Sequence, residues 1–390
     1  MDDGAPLIHI IFLIFSGTAV LATLALFTRQ SLLVAYMALG ALFGPWGFKF
    51  ITNSALIEQS GDVGIIFLLF LLGLDLQPKN LLHSLRKMNV ITLISSLIFF
   101  IVGFGIAWVF HFTLTECLIA GAAVIFSSTI IGLKLLPTTI LHHQHTGELM
   151  ISILLLQDII AIIVLLALQG IGDRVLSFHD IGYIVGAFPL LILIGYLFQR
   201  FVLGKLLMLF DRVHEYIFIL SIGWCLCMAE LSHYMGLSGE IGAFIAGISL
   251  ATHPVSLYVA ESLKPLRDFF LVIFFFSIGA GFNFSYLSTV ILPAAILAVS
   301  MLALKPFVFS QLLSHNKENS KVSKEVGVRL GQLSEFSLLI ISLAVQAKLA
   351  SAKFSYTLQA ATILTFIVSC YWVVMRYPTP LATTDNLRRN

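Results

Sequence analysis

The sequence predicts an all-α, polytopic membrane protein of about thirteen transmembrane helices. Of its 390 residues, 59% are hydrophobic and only 11% are charged, where a soluble domain carries roughly a quarter charged. Mean hydropathy is +1.00. The apolar residues also fall into runs near the roughly 20 residues that an α-helix needs to cross a bilayer. The net charge of +2 points to no partner, and no basic face with interleaved aromatics supports nucleic-acid binding.

The chain opens Met1-Asp2-Asp3 and turns apolar from Leu7 to Phe27. An acidic start and so long a run oppose a cleaved signal peptide, so the run is read as a retained first helix. Cutting at charges and at Pro/Gly breaks gives spans near 7–28, 31–48, 61–76, 89–110, 115–136, 148–169, 181–203, 215–235, 239–252, 268–283, 287–313, 325–347 and 355–376. The ninth and tenth are short and read as partial spans. With the N-terminus outside, fifteen of the 22 Lys and Arg residues fall on the inner side, Arg86, Lys87, Arg200, Lys317 and Arg376 among them. Lys49, Arg174, Lys348 and Lys353 fall outside, and Lys134, Lys305 and Arg329 lie within spans. Inner loops are the basic ones, so the bias supports an odd count with the N-terminus out and the C-terminus in the cytosol.

The loops are too short for a soluble domain, and no GxxxxGK[ST] phosphate loop occurs, which opposes ATP hydrolysis on this chain. A secondary transporter, not an enzyme, is the expectation, with no cofactor and no metal. Cys117, Cys225, Cys227 and Cys370 lie in apolar runs and read as packing residues. His142, His143 and His145 read as a solvated loop without acidic partners rather than a metal site.

Charge inside a span is the strongest functional signal. Burying one at mid-membrane costs about 2.5–3.5 kcal/mol, where each Leu or Ile returns about 0.3–0.6. Asp158, beside Gln157, sits near the middle of span six and is read as functional. Span five is interrupted by Ser127-Ser128-Thr129 and Gly132. Such a stretch either unwinds, so that freed carbonyls and hydroxyls coordinate a dehydrated cation, or packs closely on another helix. Span twelve has a matching interruption, Arg329-Leu330-Gly331-Gln332-Leu333-Ser334-Glu335-Phe336, and span eleven carries Lys305-Pro306. A lysine this deep snorkels or pairs with a carboxylate, and Asp158 is the natural partner. Glu240 reads as a helix-dipole partner and Gly242 to Gly247 as a packing face. Glu230 reads as interfacial.

The broken helices are the fifth of a first set, 7–169, and the fifth of a second, 215–376, with a linker helix at 181–203 between. Paired interruptions at corresponding positions point to two inverted repeats, two broken crossing helices and a midplane site. Residues 377–390 read as a short cytosolic tail with no regulatory domain.

Several ordered blocks then resemble one family. Gly73-Leu74-Asp75-Leu76-Gln77-Pro78, Ser127-Ser128-Thr129, Gln157-Asp158, Gly242-Ala243-Phe244-Ile245-Ala246-Gly247, Phe274-Phe275-Phe276-Ser277-Ile278-Gly279 and Gly331-Gln332-Leu333-Ser334-Glu335-Phe336 together resemble the monovalent cation:proton antiporters of the cation:proton antiporter-2 type, Kef-type potassium efflux branch. The resemblance implies a scaffold domain and a mobile core, an elevator-type homodimer, and a bacterial inner membrane. It implies exchange of K+, or Na+, for protons at Asp158, with Gln157, Ser128 and Thr129 as further ion-binding residues and Lys305 and Glu335 as supporting charges. Kef proteins usually continue into a cytosolic regulatory domain; here the sequence ends at Asn390, either cut short before such a domain or belonging to a relative without one. A potassium channel-like pathway and a non-transporting membrane scaffold or sensor are the competing readings.

Overall fold

The structure, a computed structural model, describes residues 7–51, 54–75, 78–134, 145–171, 178–210, 213–235, 237, 239–251 and 256–379. Among these it is helical. The first apolar run forms α1 (Leu7–Phe27), and α2 (Leu32–Phe43) stops where Gly44-Pro45 cannot continue it. Then follow α3 (Ser54–Asp75), α4 (Pro78–Val109), α5 (Leu114–Val124), α6 (Thr129–Lys134) and α7 (His145–Ile171). Next, α8 (Phe178–Phe198) runs through a π-helical turn, Gln199–Leu203, into α9 (Gly204–Leu209). The chain continues with α10 (His214–Tyr234), α11 (Gly239–Ala251), α12 (Ser256–Gly281), α13 (Leu287–His315), α14 (Ser320–Arg329), α15 (Glu335–Gln346) and α16 (Ala352–Arg376).

Seven helices among the described residues are long and apolar enough to cross a membrane, and five shorter apolar ones accompany them. Their polarity is inverted relative to a soluble helix. On α4 the buried face holds Thr92, Ser95 and Ser96, while Leu93, Leu97 and Ile101 stand exposed. In water that arrangement would be unfavourable; against lipid tails it is the expected one. The protein is therefore an integral membrane protein.

Cutting at charges displaced several helix ends. The fourth helix starts at Pro78, ahead of Lys79, Arg86 and Lys87, and the helix of the tenth expected span, α12, starts at Ser256 and runs for 26 residues. A helix does not end where its residues become polar; it ends where its backbone finds other partners. Asp75 and Lys134 close their helices, and their side chains lie outside the described residues, as do His142 and His143. His145 does not sit in a loop without acids. It lies in the first turn of α7, its Nδ1 3.2 Å from Glu148 and its Nε2 2.7 Å from Glu318. The acids lie three residues on and in a distant loop.

The chain divides into two compact units. One comprises residues 1–15, 39–82 and 169–281. In it α3 packs on α11 and α12, and α10 packs on α11. Glycines permit the approach: a Cβ on Gly247 would lie 2.1 Å from the Phe70 carbonyl oxygen, and one on Gly242 2.1 Å from that of Met228. The Gly242 to Gly247 stretch is thus a packing face. The other unit comprises 16–38, 83–168 and 282–390, and in it α13 packs on α14 and α16, and α15 on α16 and α5. Both interrupted helices, Lys305 and Asp158 belong to this second unit.

Candidate functional site: two broken helices and a buried acid

Both interruptions read from the sequence are breaks in the helical backbone. The first leaves residues 125–128 between α5 and α6, and the second leaves 330–334 between α14 and α15. A break strips carbonyls from the end of one helix and amides from the start of the next, and in an apolar interior these must find partners. At the first break, Gln157 Oε1 accepts from the Ser127 amide at 3.0 Å, and Gln157 Nε2 donates to the Ile125 carbonyl at 3.2 Å. Ser128 Oγ accepts from the Ile131 amide at 3.1 Å and so caps α6. At the second, Thr365 Oγ1 accepts from the Leu333 amide at 3.1 Å, and Ser334 Oγ accepts from the Phe336 amide at 3.1 Å.

Direct bonds join the two breaks. Ser127 Oγ donates to the Leu330 carbonyl at 2.7 Å, Ser337 Oγ to the Ala123 carbonyl at 2.6 Å, and Gln332 Nε2 to the Ser128 carbonyl at 3.5 Å. Lys305 spans both. Its fully buried Nζ donates to the Phe126 carbonyl at 2.5 Å and the Gln332 carbonyl at 3.2 Å, with Ser127 Oγ at 3.4 Å and the Phe99 ring centroid at 5.3 Å. The sequence pairs Lys305 with Asp158; the bonds of the amine instead run to the carbonyl ends of both interrupted helices. Those ends carry the negative pole of a helix, which favours a cation. The acid of the crossing stands at the opposite pole. Glu335, in the first turn of α15, accepts from Thr129 Oγ1 at 2.5 Å, and Thr129 is the first residue of α6.

Asp158 lies mid-way along α7, buried with only 5% of its surface exposed, directly after the glutamine that holds the first break. Gln157, Ser128 and Thr129 lie at the first break, and both amide atoms of Gln157 are engaged by backbone. The candidate set missed Ser127, Gln332, Ser337, Thr365 and Ser369. Gln332 links three elements: its carbonyl accepts from Lys305, its Nε2 reaches the first break, and its Oε1 accepts from Ser369 Oγ at 2.9 Å. A signal for the α16 partners was present, since Thr362, Thr365 and Ser369 recur every three or four residues along one face of an apolar span.

Around the two breaks several positions share one interval. Helix ends 109 and 315, helix starts 114 and 320, and restarts after the breaks 129 and 335 each stand 206 residues apart. Gly121 and Gly327 hold the same interval, and a Cβ on each would crowd the carbonyl oxygen of Phe100 or Pro306, at 2.8 and 2.6 Å. Their contacts keep the interval too.

A pair of discontinuous helices, joined at their breaks beside a buried acid within an inside-out helical bundle, defines an integral membrane protein built around a desolvated polar centre. The sodium/hydrogen exchanger, transmembrane, family model matches residues 11–375, and the chain belongs to that family. It is 29% identical over 354 residues to K(+) efflux antiporter 4 of Arabidopsis thaliana, covering 87% of this chain and 59% of the relative, and 27% identical over 362 residues to K(+) efflux antiporter 5 of the same plant, covering 87% and 61%. The chain thus spans about six-tenths of the length of these relatives, whose names accord with the Kef-type resemblance. Its fold is that of the sodium proton antiporter MjNhaP1 from Methanocaldococcus jannaschii, at a TM-score of 0.70 and 17% identity over 94% of this chain and 95% of that one.

Proposed function

We propose that the protein is a secondary transporter that exchanges a monovalent cation for protons at Asp158. The observation that carries this is the assembly of two helix breaks, closed by Gln157 and Lys305, against the helix on which the buried Asp158 sits. A carboxylate in such a site holds either a proton or a cation, so release of one accompanies uptake of the other. Thr129, whose hydroxyl oxygen keeps lone pairs while it donates to Glu335, and Ser128 are the neighbouring oxygen donors. Gln157 acts by shaping the break. Lys305 and Glu335 balance the helix poles as the occupant of the site changes.

K+ is the preferred cation, with Na+ possible; the similarity to K(+) efflux antiporters supports this. Thirteen spans in two inverted repeats fit the 206-residue correspondence, the seven long apolar helices and the shorter ones. The N-terminus lies outside and the C-terminus in the cytosol, in the bacterial inner membrane. Transport proceeds by elevator-type alternating access in a homodimer, with the unit that contains the crossing as the moving part.

The test is reconstitution into proteoliposomes with a trapped pH dye. An imposed K+ or Na+ gradient moves protons in the opposite direction, and Asp158→Asn abolishes this while the protein still elutes and unfolds like the wild type. Coupled flux at the wild-type rate in Asp158→Asn would remove Asp158 from the mechanism. Cation flux without protons would favour a channel-like pathway.

A further inference from the structure

Arg329 is buried to 1% of its surface, ends α14 and immediately precedes the second break, yet the crossing chemistry above does not use its side chain. A buried guanidinium keeps its charge and needs acceptors around it. Glu325, one turn earlier, supplies a carboxylate oxygen 2.8 Å from one terminal nitrogen and 2.9 Å from Nε. Further contacts come from beyond the last helix. The guanidinium donates to the Pro378 carbonyl at 2.8 Å and lies 5.6 Å from the Tyr377 ring centroid, and the next residue, Thr379, is fully buried. Tyr377 and Pro378, directly after α16, are therefore built onto the last turn of α14.

That turn is held from its other side as well. Gly327 and Gly331 admit Pro306, a Cβ on either falling within 2.9 Å of it, and Pro306 follows Lys305. The position 206 residues before Arg329 is Ala123, whose carbonyl accepts from Ser337. A broken helix of this architecture thus forms without a charge there, so the arginine serves something other than making the break.

We propose that Arg329 is a positioning residue for the ion site and that Tyr377–Thr379 is the strap through which it works. The strap presses the end of α14 onto Pro306 and so fixes where Lys305 and Gln332 meet. Chain that continues past residue 379 thereby gains a handle on the crossing: tension on the strap loosens the second break and lowers cation affinity. The inference rests on the exchange reading for its transport readout only.

The experiment uses the full chain with Tyr377→Ala and, separately, Arg329→Lys, which keeps the charge but loses the planar fork. Amide hydrogen exchange at residues 330–334 is compared with the remainder of the protein, and cation dependence is measured in proteoliposomes. Both variants are expected to speed exchange selectively at 330–334 and to raise the half-saturating cation concentration about tenfold at near wild-type maximal rate. Exchange that stays at the wild-type rate there, or rises evenly across the chain, overturns the proposal. So does a lower maximal rate at unchanged half-saturation, which marks a purely structural anchor. If the wild type shows no cation-coupled proton movement, the exchange reading fails, and the hydrogen-exchange comparison still decides the role of Arg329.

Discussion

At the scale of single residues, Gln157 and Asp158 divide the labour of two adjacent polar positions. Neighbours on a helix point about 100° apart, so Gln157 faces the first break while Asp158 points to another side of α7. Gln157 serves a backbone amide and a backbone carbonyl at once. Replacing it with leucine leaves both buried without that partner, at about 1–3 kcal/mol each. Gln157→Leu is therefore expected to lower the thermal midpoint of the purified protein in cation-free buffer. A residue needed only as a cation ligand would leave the cation-free midpoint unchanged. Sequence marked the pair as functional because two polar groups interrupt an apolar span. It left open which of them touches backbone, because that depends on the rotation of α7 against α5.

Among elements, the packing of α13 on α14 and of α4 on α5 decides where the breaks meet. Gly327 and Gly121 stand at corresponding positions, each facing a carbonyl oxygen of the preceding helix. A methyl group at either forces backbone apart, at about 1–3 kcal/mol. Gly327→Ala and Gly121→Ala are both expected to destabilise, whereas Gly105→Ala, with nothing within 4 Å, gains about 0.5–1 kcal/mol from its lower unfolded-chain entropy. Thermal unfolding of the three variants in one detergent checks this, and equal midpoints for all three would show that close approach does not position the breaks. The interruptions were legible in sequence as hydroxyls and glycines inside apolar runs. The glycines that matter most for the approach, Gly121 and Gly327, lie seven residues into their helices and carry no local mark.

For the whole molecule, the distribution of Lys and Arg makes a prediction that the helices do not depend on. That distribution puts the turn after α4 outside and the turn after α13 inside as an expectation. In a variant with its four cysteines replaced, a membrane-impermeant maleimide is expected to label His111→Cys in intact cells and Asn316→Cys only after permeabilisation. The reverse pattern would invert the topology and with it the direction of coupling, while leaving the crossing intact.

Composition and periodicity by themselves determined the solvent, the two interrupted helices and the buried acid. Each of these is a local property, because lipid imposes a length and a polarity on every crossing segment, and a charge inside one costs energy wherever it sits. Tertiary structure decided the partners. Lys305 and Asp158 looked complementary as two lone charges, but the lysine is drawn to the carbonyl ends at Phe126 and Gln332, acceptors that exist only once the breaks are opened and apposed. Arg329 reads in sequence as one more charge near a break. Its hold on Pro378, 49 residues further along the chain, follows from the return of α16 beside α14, and no pattern of residue types encodes that distance.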